Sequence, residues 1–521
     1  MWFTFTAIVT IFVLILYYQI IKSIYYWKNR NVANKGSLAT LRLLCSIIFQ
    51  RKSYFDHVRE LYNEFKNQRY FGILQFNTPA LYIRDLDLIK RITVTDFNHF
   101  ADHPQFAPDN VEPLTEKNIF NLKGQNWRDM RSILTPTFTS NKMKIMFTLV
   151  LDCAQDFMNY IEKQKQHVVE LEVKDVFSRY TNDVIASVVF GLKCNSLEER
   201  TNEFYAMGRK LSTINGIKVL LITIYNLFEF FPSTVTSFFT QIIKEAIIQR
   251  EQGVVRPDLI QLLVETRKKS DLLEYETTVN EGFATTGEHK YQHAYKKNNL
   301  KLTDDDIIAQ AIIFLFGGFE TTSTLMSFLA YELAINLNVQ QMLQSEIDKT
   351  LRNCNGPLTY EALSKMKYMD MVISETLRKW PLGFQIDRTC TKEYTIHPLY
   401  PWEKRLVVEK GTLVIIPIVG LHRDPKYYPN PKKFDPERFN DVRKHTIKPS
   451  SYMPFGAGPR NCIASRFVFM TTKIIIFHLL SKYDLLVIDK TPIPLNIAAG
   501  TFTALNLGPA EGFWLGLKQR N

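Results

Sequence analysis

The chain is poor in cysteine, and none of its cysteines is paired in sequence. Cys45, Cys153, Cys194, Cys354, Cys390 and Cys462 form no CxxC motif and keep no regular spacing. That argues against a disulfide framework or a structural zinc site, and for a reducing compartment. Proline is missing before Pro79, so residues 31–53 make a connector without a proline-rich hinge. Formal charge is missing from the twenty residues 2–21, a run long enough to cross a bilayer. Missing too are the basic residues before that run and the small residues after it that mark a cleaved signal peptide. Lys22, Lys28, Arg30 and Lys35 follow it instead, with Tyr17, Tyr18, Tyr25, Tyr26 and Trp27 as interfacial aromatics. Residues 1–30 are therefore expected to be a retained anchor with its basic flank, and the bulk of the chain to be cytoplasmic. A dense basic repeat is also absent. The net charge of +12, from 64 basic and 52 acidic residues, points to an anionic membrane surface or an acidic partner, not to nucleic acid.

What is present is ordinary globular material: 46% hydrophobic and 22% charged over 521 residues, enough by length for two to four domains. Periodicity predicts an amphipathic helix over 54–68 and a short one over 86–93. Residues 70–76 and 80–83, parted by Asn77, Thr78 and Pro79, predict a β-hairpin. Residues 100–122 have no period and read as a long, functional loop. Helical patterns run over 143–190. Residues 219–231 are apolar apart from Glu229, and suit either core or a lip resting in a bilayer. Residues 270–300 read as an exposed linker. Strands are expected at 407–408 and 413–417 around Lys410-Gly411, and as a pair at 494–497 and 513–517.

Four stretches carry chemistry. Pro454-Phe455-Gly456-Ala457-Gly458-Pro459-Arg460-Asn461-Cys462-Ile463-Ala464 is a glycine-rich turn ending in one cysteine, before an apolar helix to about Tyr483. The helix dipole there favours a thiolate. A lone thiolate on a rigid loop beside Arg460 suits one-sided ligation of a metal centre. Gly317-Gly318-Phe319-Glu320-Thr321-Thr322 stands inside an apolar helix expected from Ile307 to about Leu333, after a Thr303 cap. Two mid-helix glycines cost roughly 1 kcal/mol each, and a carboxylate there costs more unless paired. The stretch predicts either a local deformation with room for a ligand, or a kinked core helix with a back-bonded threonine. Trp127 and Arg131 share a helix face and suit an anionic group. Glu375 and Arg378 also share a face, and Pro436-Glu437-Arg438-Phe439 supplies a further arginine.

Phe455, Gly458, Arg460 and Cys462, as Phe-x-x-Gly-x-Arg-x-Cys, resemble the haem-binding loop of the cytochrome P450 monooxygenases. The other stretches resemble that family's Ala/Gly-Gly-x-Asp/Glu-Thr-Thr/Ser, Trp-x-x-x-Arg and Glu-x-x-Arg patterns, in the family's order. The resemblance spans essentially the whole chain after the anchor. Thr135-Pro136-Thr137-Phe138, Ile83-Arg84-Asp85-Leu86 and Asp424-Pro425-Lys426-Tyr427 resemble insect microsomal members, most of all the xenobiotic-associated branch numbered nine. The resemblance implies one mainly α-helical domain with small β-sheets over 54–521, holding haem b. It implies Cys462 as the metal ligand. Trp127, Arg131 and Arg388 would meet the propionates, and Gly317, Phe455, Gly458, Arg460 and Ala464 the rest of the cofactor. Glu320 and Thr321 would be the catalytic proton-delivering pair, and Glu375, Arg378 and Arg438 a buried clamp behind the loop. Phe106, Phe120, Phe314, Gly383, Phe384, Ile386 and Phe502 would wall the substrate pocket. For Phe106 and Phe120, anchoring the loop in the core is equally open. The family has glycine two residues after its cysteine. Ala464 departs from it by one methyl group, and a tolerated methyl is expected.

The implied activity inserts one oxygen atom of O2 into small lipophilic molecules, such as plant toxins or insecticides. Electrons would come from NADPH through NADPH–cytochrome P450 reductase, with cytochrome b5 as a second donor, at the endoplasmic reticulum membrane. A haem-thiolate isomerase or dehydratase is a second reading, opposed by the acid–alcohol pair. A haem-sequestering protein is a third, to which Ala464 lends slight support.

Overall fold

The computed structural model describes residues 6, 10–11, 13–14, 17–18, 25–35, 51–75, 78–104, 113–212, 232–268, 302–354, 356–499, 501 and 507–520. Most of the anchor, the 219–231 run, the 270–300 linker, Phe106 and Phe502 lie outside them.

Trp27 shows how the N-terminal flank meets the body. It is not an interfacial residue: it is buried, and its Nε1 donates to the Ile73 carbonyl at 3.1 Å. A Cβ on Gly72 would lie 2.3 Å from its ring, so the missing side chain there is what lets the indole in. Helix α1 (Tyr54–Glu64) starts at Ser53, whose Oγ accepts the Asp56 N–H. Strands β1 (Tyr70–Gln75) and β2 (Thr78–Ile83) form the expected hairpin with a tighter turn, since Gln75 pairs with Thr78. Two late strands extend this sheet. β7 (Leu413–Ile416) joins β2 in parallel, and β4 (Ile386–Thr389) joins β7 antiparallel.

Both strands expected around Lys410-Gly411 are present, each in a different sheet, while the 494–497 strand and the unbroken helical pattern over 143–190 are corrected. β6 (Leu406–Val408) pairs with β5 (Tyr394–Ile396), and Gly411, at φ +90°, donates its N–H to the Cys390 carbonyl, swinging the chain into the other sheet. Residues 494–497 give only an isolated bridge from Ile497 to Pro509. β9 (Trp514–Gln519) instead lies between β3 (Val168–Glu172) and β8 (Tyr483–Leu486). β3 also interrupts the helical pattern expected over 143–190. Lys165 takes a left-handed φ of +48°, and the β-branched Val168 and Val169 then suit a strand.

The other helices are α2 (Leu86–Lys90), α3 (Pro113–Lys117), α4 (Gly124–Leu134), α5 (Ser140–Glu162), α6 (Val173–Ile185), α7 (Glu203–Ser212), α8 (Ser233–Glu251) and α9 (Leu259–Lys268). After them come α10 (Asp304–Ile335), α11 (Leu337–Cys354), α12 (Tyr360–Ser364), α13 (Lys367–Lys379), α14 (Ile418–His422) and α15 (Ser465–Lys482). The protein is thus mainly α with small sheets.

α10 is the central element. Thr303 and Asp306 cap it reciprocally, and it packs along α6. It is long and apolar enough to cross a membrane, but it is largely buried in protein as a core helix. It runs unbroken through Gly317 and Gly318. A Cβ on Gly318 would lie 2.7 Å from Ile185 Cδ1 on α6, whereas one on Gly317 would meet nothing within 4 Å. Close packing explains one glycine and an open cavity the other. The Thr321 hydroxyl donates back to the Gly317 carbonyl.

Candidate active site

The cysteine loop is shaped by its backbone. Gly456 and Gly458 take φ of +82° and +73°. The Cys462 N–H donates to the Phe455 carbonyl at 2.8 Å and the Asn461 N–H to the Gly458 carbonyl at 3.1 Å, closing the turn. Ala464 caps α15, so Cys462 stands just ahead of a helix N-terminus. A Cβ on Gly458 would sit 1.7 Å from the Thr93 carbonyl oxygen. Gly458 therefore positions the loop and does not line the cavity in front of it. Gly458→Ala combines a left-handed alanine with a backbone collision. It is expected to cost roughly 3 kcal/mol of stability, to be read by chemical denaturation.

Cys462 lines a mostly apolar cavity of about 460 Å³. Phe120, Phe314, Phe455 and Ala464 line it, as do Gly317 and Thr321 of α10, and Gly383 and Ile386. Phe384 does not: it is buried edge-on against Tyr54 and Phe55, with centroids 5.8 and 5.9 Å away. The expectation for Phe384 is corrected to a core role; its neighbours Gly383 and Gln385 reach the cavity.

Three arginines gather on the wall. Arg131 donates to Asn461 at its carbonyl (2.9 Å) and at Oδ1 (2.8 Å). Arg460 lies 4.2 Å over the Trp127 ring and donates to the carbonyls of Ala101 (2.8 Å) and Leu122 (2.6 Å). It thereby ties together the two ends of the 100–122 loop. Arg388 is buried, donates Nη1 to the Asp387 carbonyl at 2.6 Å, and has no partner for Nε. Burial pushes Arg388 down to about 10 and Arg460 to about 9, so both stay cationic near neutrality. A buried guanidinium with an unmet N–H beside the cavity fits an anionic ligand group.

Glu320 and Thr321 are separated by α10 itself. Neighbouring helical residues point about 100° apart, and here the two side chains face different cavities. Thr321 faces the large one. Glu320 is buried on the other side, accepting from Lys174 at 2.6 Å and Arg209 at 2.7 Å. It lines a second cavity of about 270 Å³ with Glu172 and Ser212. Burial alone would raise the Glu320 carboxyl, but Lys174 and Arg209 hold it below the usual carboxylate range.

Glu375 and Arg378 of the clamp are fully buried, and Arg438 is half-buried beside them. Glu375 receives Arg378 at 2.7 and 2.8 Å, accepts the Asp435 N–H at 2.8 Å, and has Arg438 Nε at 3.5 Å. Arg378 also donates to the His422 carbonyl at 3.0 Å. His422 Nε2 accepts the Met453 N–H at 3.0 Å, which hands this network on to the start of the cysteine loop. Burial holds the His422 imidazole down at about 3. In the unfolded chain it takes a proton near 6.5. Between those values the unfolded state binds more protons, so stability falls as pH drops. The loss is roughly 2 kcal/mol by pH 5. Denaturation at pH 7 and pH 5 checks this, and His422→Gln is expected to shrink the difference by about that amount, with His57, which burial also holds at about 3, contributing a separate share.

The sequence reading missed Asn461, His103 and Asp387, all of which line the cavity. Asn461 stood inside the recognised loop as an unassigned letter. His103 and Asp387 carry no local pattern, and the fold alone brings them together.

Among the described residues no group of three or more His, Cys, Asp or Glu could hold a metal ion. Cys462 offers a metal one thiolate donor in the cavity, and the arginines on its wall suit acidic groups on a larger cofactor. Haem meets both conditions, and the cavity is that of a haem-thiolate protein. The cytochrome P450 family model matches residues 38–507, and the chain belongs to that family of monooxygenases. It is 40% identical over 521 residues to cytochrome P450 9e2 of Blattella germanica, covering 95% of this chain and 94% of that protein. It is 37% identical over 516 residues to probable cytochrome P450 9f2 of Drosophila melanogaster, covering 95% of each. Cytochrome P450 6j1 of Blattella germanica is 35% identical over 519 residues, covering 99% and 98%. The first two of these relatives agree with a place in the insect family-nine branch.

Proposed function

We propose that this monooxygenase oxidises small lipophilic xenobiotics, drawing electrons from NADPH through a membrane-bound reductase, with cytochrome b5 as a second donor. The observation that carries this is Thr321 and Cys462 lining one mostly apolar cavity. Cys462 would hold the iron, Arg131, Arg388 and Trp127 the propionates. The haem, when bound, supplies O2 activation and oxygen transfer, which the thiolate promotes. The apolar walls orient the substrate and exclude water. The Thr321 hydroxyl holds a proton on the cavity side. Glu320 stands behind it, paired with Lys174 and half-exposed Arg209, and itself lines the second cavity, through which solvent protons can reach its carboxylate. The uncharged run 2–21 would anchor the chain in the endoplasmic reticulum membrane, with 54–521 as the catalytic domain on the cytoplasmic side.

Reconstitution with reductase and a panel of lipophilic compounds tests the reading. Turnover should require reductase and NADPH. Thr321→Ala is expected to keep substrate affinity while product per NADPH falls several-fold or more, within the range of general acid–base effects of about 10². Glu320→Gln should lower the same ratio. Unchanged coupling in both variants would remove the proton assignment.

A further inference from the structure

The β5–β6 hairpin ends in a turn that holds its apolar side chains outward. Leu399 is 62%, Tyr400 41% and Trp402 68% exposed. The rings of Tyr400 and Trp402 stack on each other, centroids 4.8 Å apart and planes 6° from parallel, so the three make one patch and not scattered side chains. Pro398 and Pro401 restrict the backbone between them. The turn is built around Glu403, the one acid between Tyr394 and Val408. Its Oε2 accepts the Leu399 N–H at 2.7 Å and Arg69 Nη1 at 2.8 Å, and the ion pair is largely buried. The negative charge is thus turned inward, while Lys404 and Arg405 stay exposed. What the turn shows to solvent is aromatic, apolar and cationic.

Its place in the molecule is set by β1. Arg69 directly precedes that strand, and Gly72 and Ile73, which receive Trp27, follow about 10 Å further along the chain. Trp27 and Val32 share one apolar cluster with Tyr70 of β1 and with Tyr394, Ile396, Leu406 and Val408, the inward residues of the hairpin. Just past β6, Glu409 accepts from the Tyr26 hydroxyl at 3.1 Å and pairs with Arg30. The helical turn 25–29 is therefore fastened to the same hairpin whose tip carries Trp402. The uncharged run 2–21 ends four residues before that turn.

We propose that Leu399, Tyr400 and Trp402 rest in the headgroup layer of the bilayer that residues 2–21 enter, as a second foothold beside the anchor, with Lys404 and Arg405 facing anionic phospholipids. This rests on the membrane reading above. A domain fastened through Trp27 and Glu409 so close to the end of its anchor has little slack, so the elements packed on residues 25–30 are the ones that meet the surface. Tryptophan and tyrosine suit that depth, because the ring enters the acyl boundary while its N–H or O–H stays hydrated. The exposed cations complement an anionic leaflet, and no unpaired acid at the tip opposes it. Two footholds fix the tilt of the catalytic domain, which a single span does not. A protein partner is the competing occupant, and the nearness of the anchor favours lipid.

The test is quenching of tryptophan emission by phospholipids brominated on their acyl chains. It uses the haem-loaded full chain in vesicles of phosphatidylcholine and phosphatidylserine, each variant compared with itself in unbrominated vesicles, so that quenching by haem cancels. Of the six tryptophans, Trp27, Trp127 and Trp380 are buried, Trp514 is half-buried under Lys490, and Trp2 lies in the uncharged run. In Trp2→Phe the lipid quenching that remains should come from Trp402, and the double variant Trp2→Phe/Trp402→Phe should lose it. Lys404→Glu with Arg405→Glu should lower the Trp402 share, and an unchanged share overturns the role of the cations. Equal quenching in Trp2→Phe and the double variant overturns the foothold. So does Trp402 emission that aqueous iodide still reaches in vesicles, or that is shielded only once reductase is added, which would make the tip a protein-docking surface. No lipid quenching in Trp402→Phe, where Trp2 reports, would instead overturn the anchor reading.

Discussion

Cys462→Ser is expected to abolish monooxygenase turnover, by at least about a thousandfold, while leaving the fold in place. The two halves of that expectation come from different atoms. The loop is closed by backbone groups: the Cys462 N–H on the Phe455 carbonyl, the Asn461 N–H on the Gly458 carbonyl, and Gly458 pressed against Thr93. Serine keeps all of these and nearly the same volume. What it changes is the donor. A thiol at a helix N-terminus ionises readily and pushes electron density onto iron, whereas a serine hydroxyl stays protonated and is a poor ligand. A thousandfold loss corresponds to about 4 kcal/mol of barrier. Two measurements decide it together: turnover with reductase, and the reduced carbon monoxide difference spectrum. Loss of the thiolate-type Soret band with an unchanged unfolding midpoint is the expected pair of results. A retained band in the serine variant would sink the assignment of Cys462.

Glu375→Ala should be the most destabilising single change in the clamp, at about 3–5 kcal/mol. The side chain is fully buried and satisfies three donors at once: Arg378 twice, and the Asp435 N–H. Removing it strands the Arg378 guanidinium in a site without solvent. Replacing Glu375 and Arg378 together by leucine should recover part of the loss, because no charge is then left buried. Recovery should be incomplete, since the Asp435 N–H and the His422 carbonyl also lose partners. Chemical denaturation of the single and double variants gives both numbers. If the single variant lost under 1 kcal/mol, the buried network would not be what supports the loop. Haem retention should fall with stability here, in contrast to Cys462→Ser.

The sequence made the site legible wherever function compresses into a few adjacent residues. The cysteine loop, the Gly317–Thr322 stretch, the Trp127/Arg131 pair and the Glu375/Arg378 pair are short, and their spacing carries their geometry. The hairpin at β1 and β2 and the cap at Thr303 were readable for the same reason. What stayed hidden depended on distant partners. The strands beside Lys410-Gly411 were readable, but not their partners: β2 and β5 take them into different sheets. Phe384 carries the same aromatic signal as Phe314, but only one of them meets the cavity. The direction in which Glu320 points follows from the rotation of α10 against α6 and α7, which no local pattern states. Trp27 looked like a membrane-surface aromatic until Gly72 gave it somewhere to go.

The four-stranded sheet has a consequence for how the molecule is made. Its first hairpin is complete early in the chain, but the parallel partner of β2 arrives more than three hundred residues later, where Ala80 meets Leu413. Arg131 likewise waits for Asn461, and Trp127 for Arg460. During synthesis the N-terminal half must therefore persist with an unpaired strand edge and an open cavity wall until nearly the whole chain has emerged. Non-local closure of this kind is slow and exposes association-prone edges. Haem can be captured only at the end of translation. A ribosome-bound chain halted before Cys462 should bind no haem, and release of the last sixty or so residues should act as the committing step.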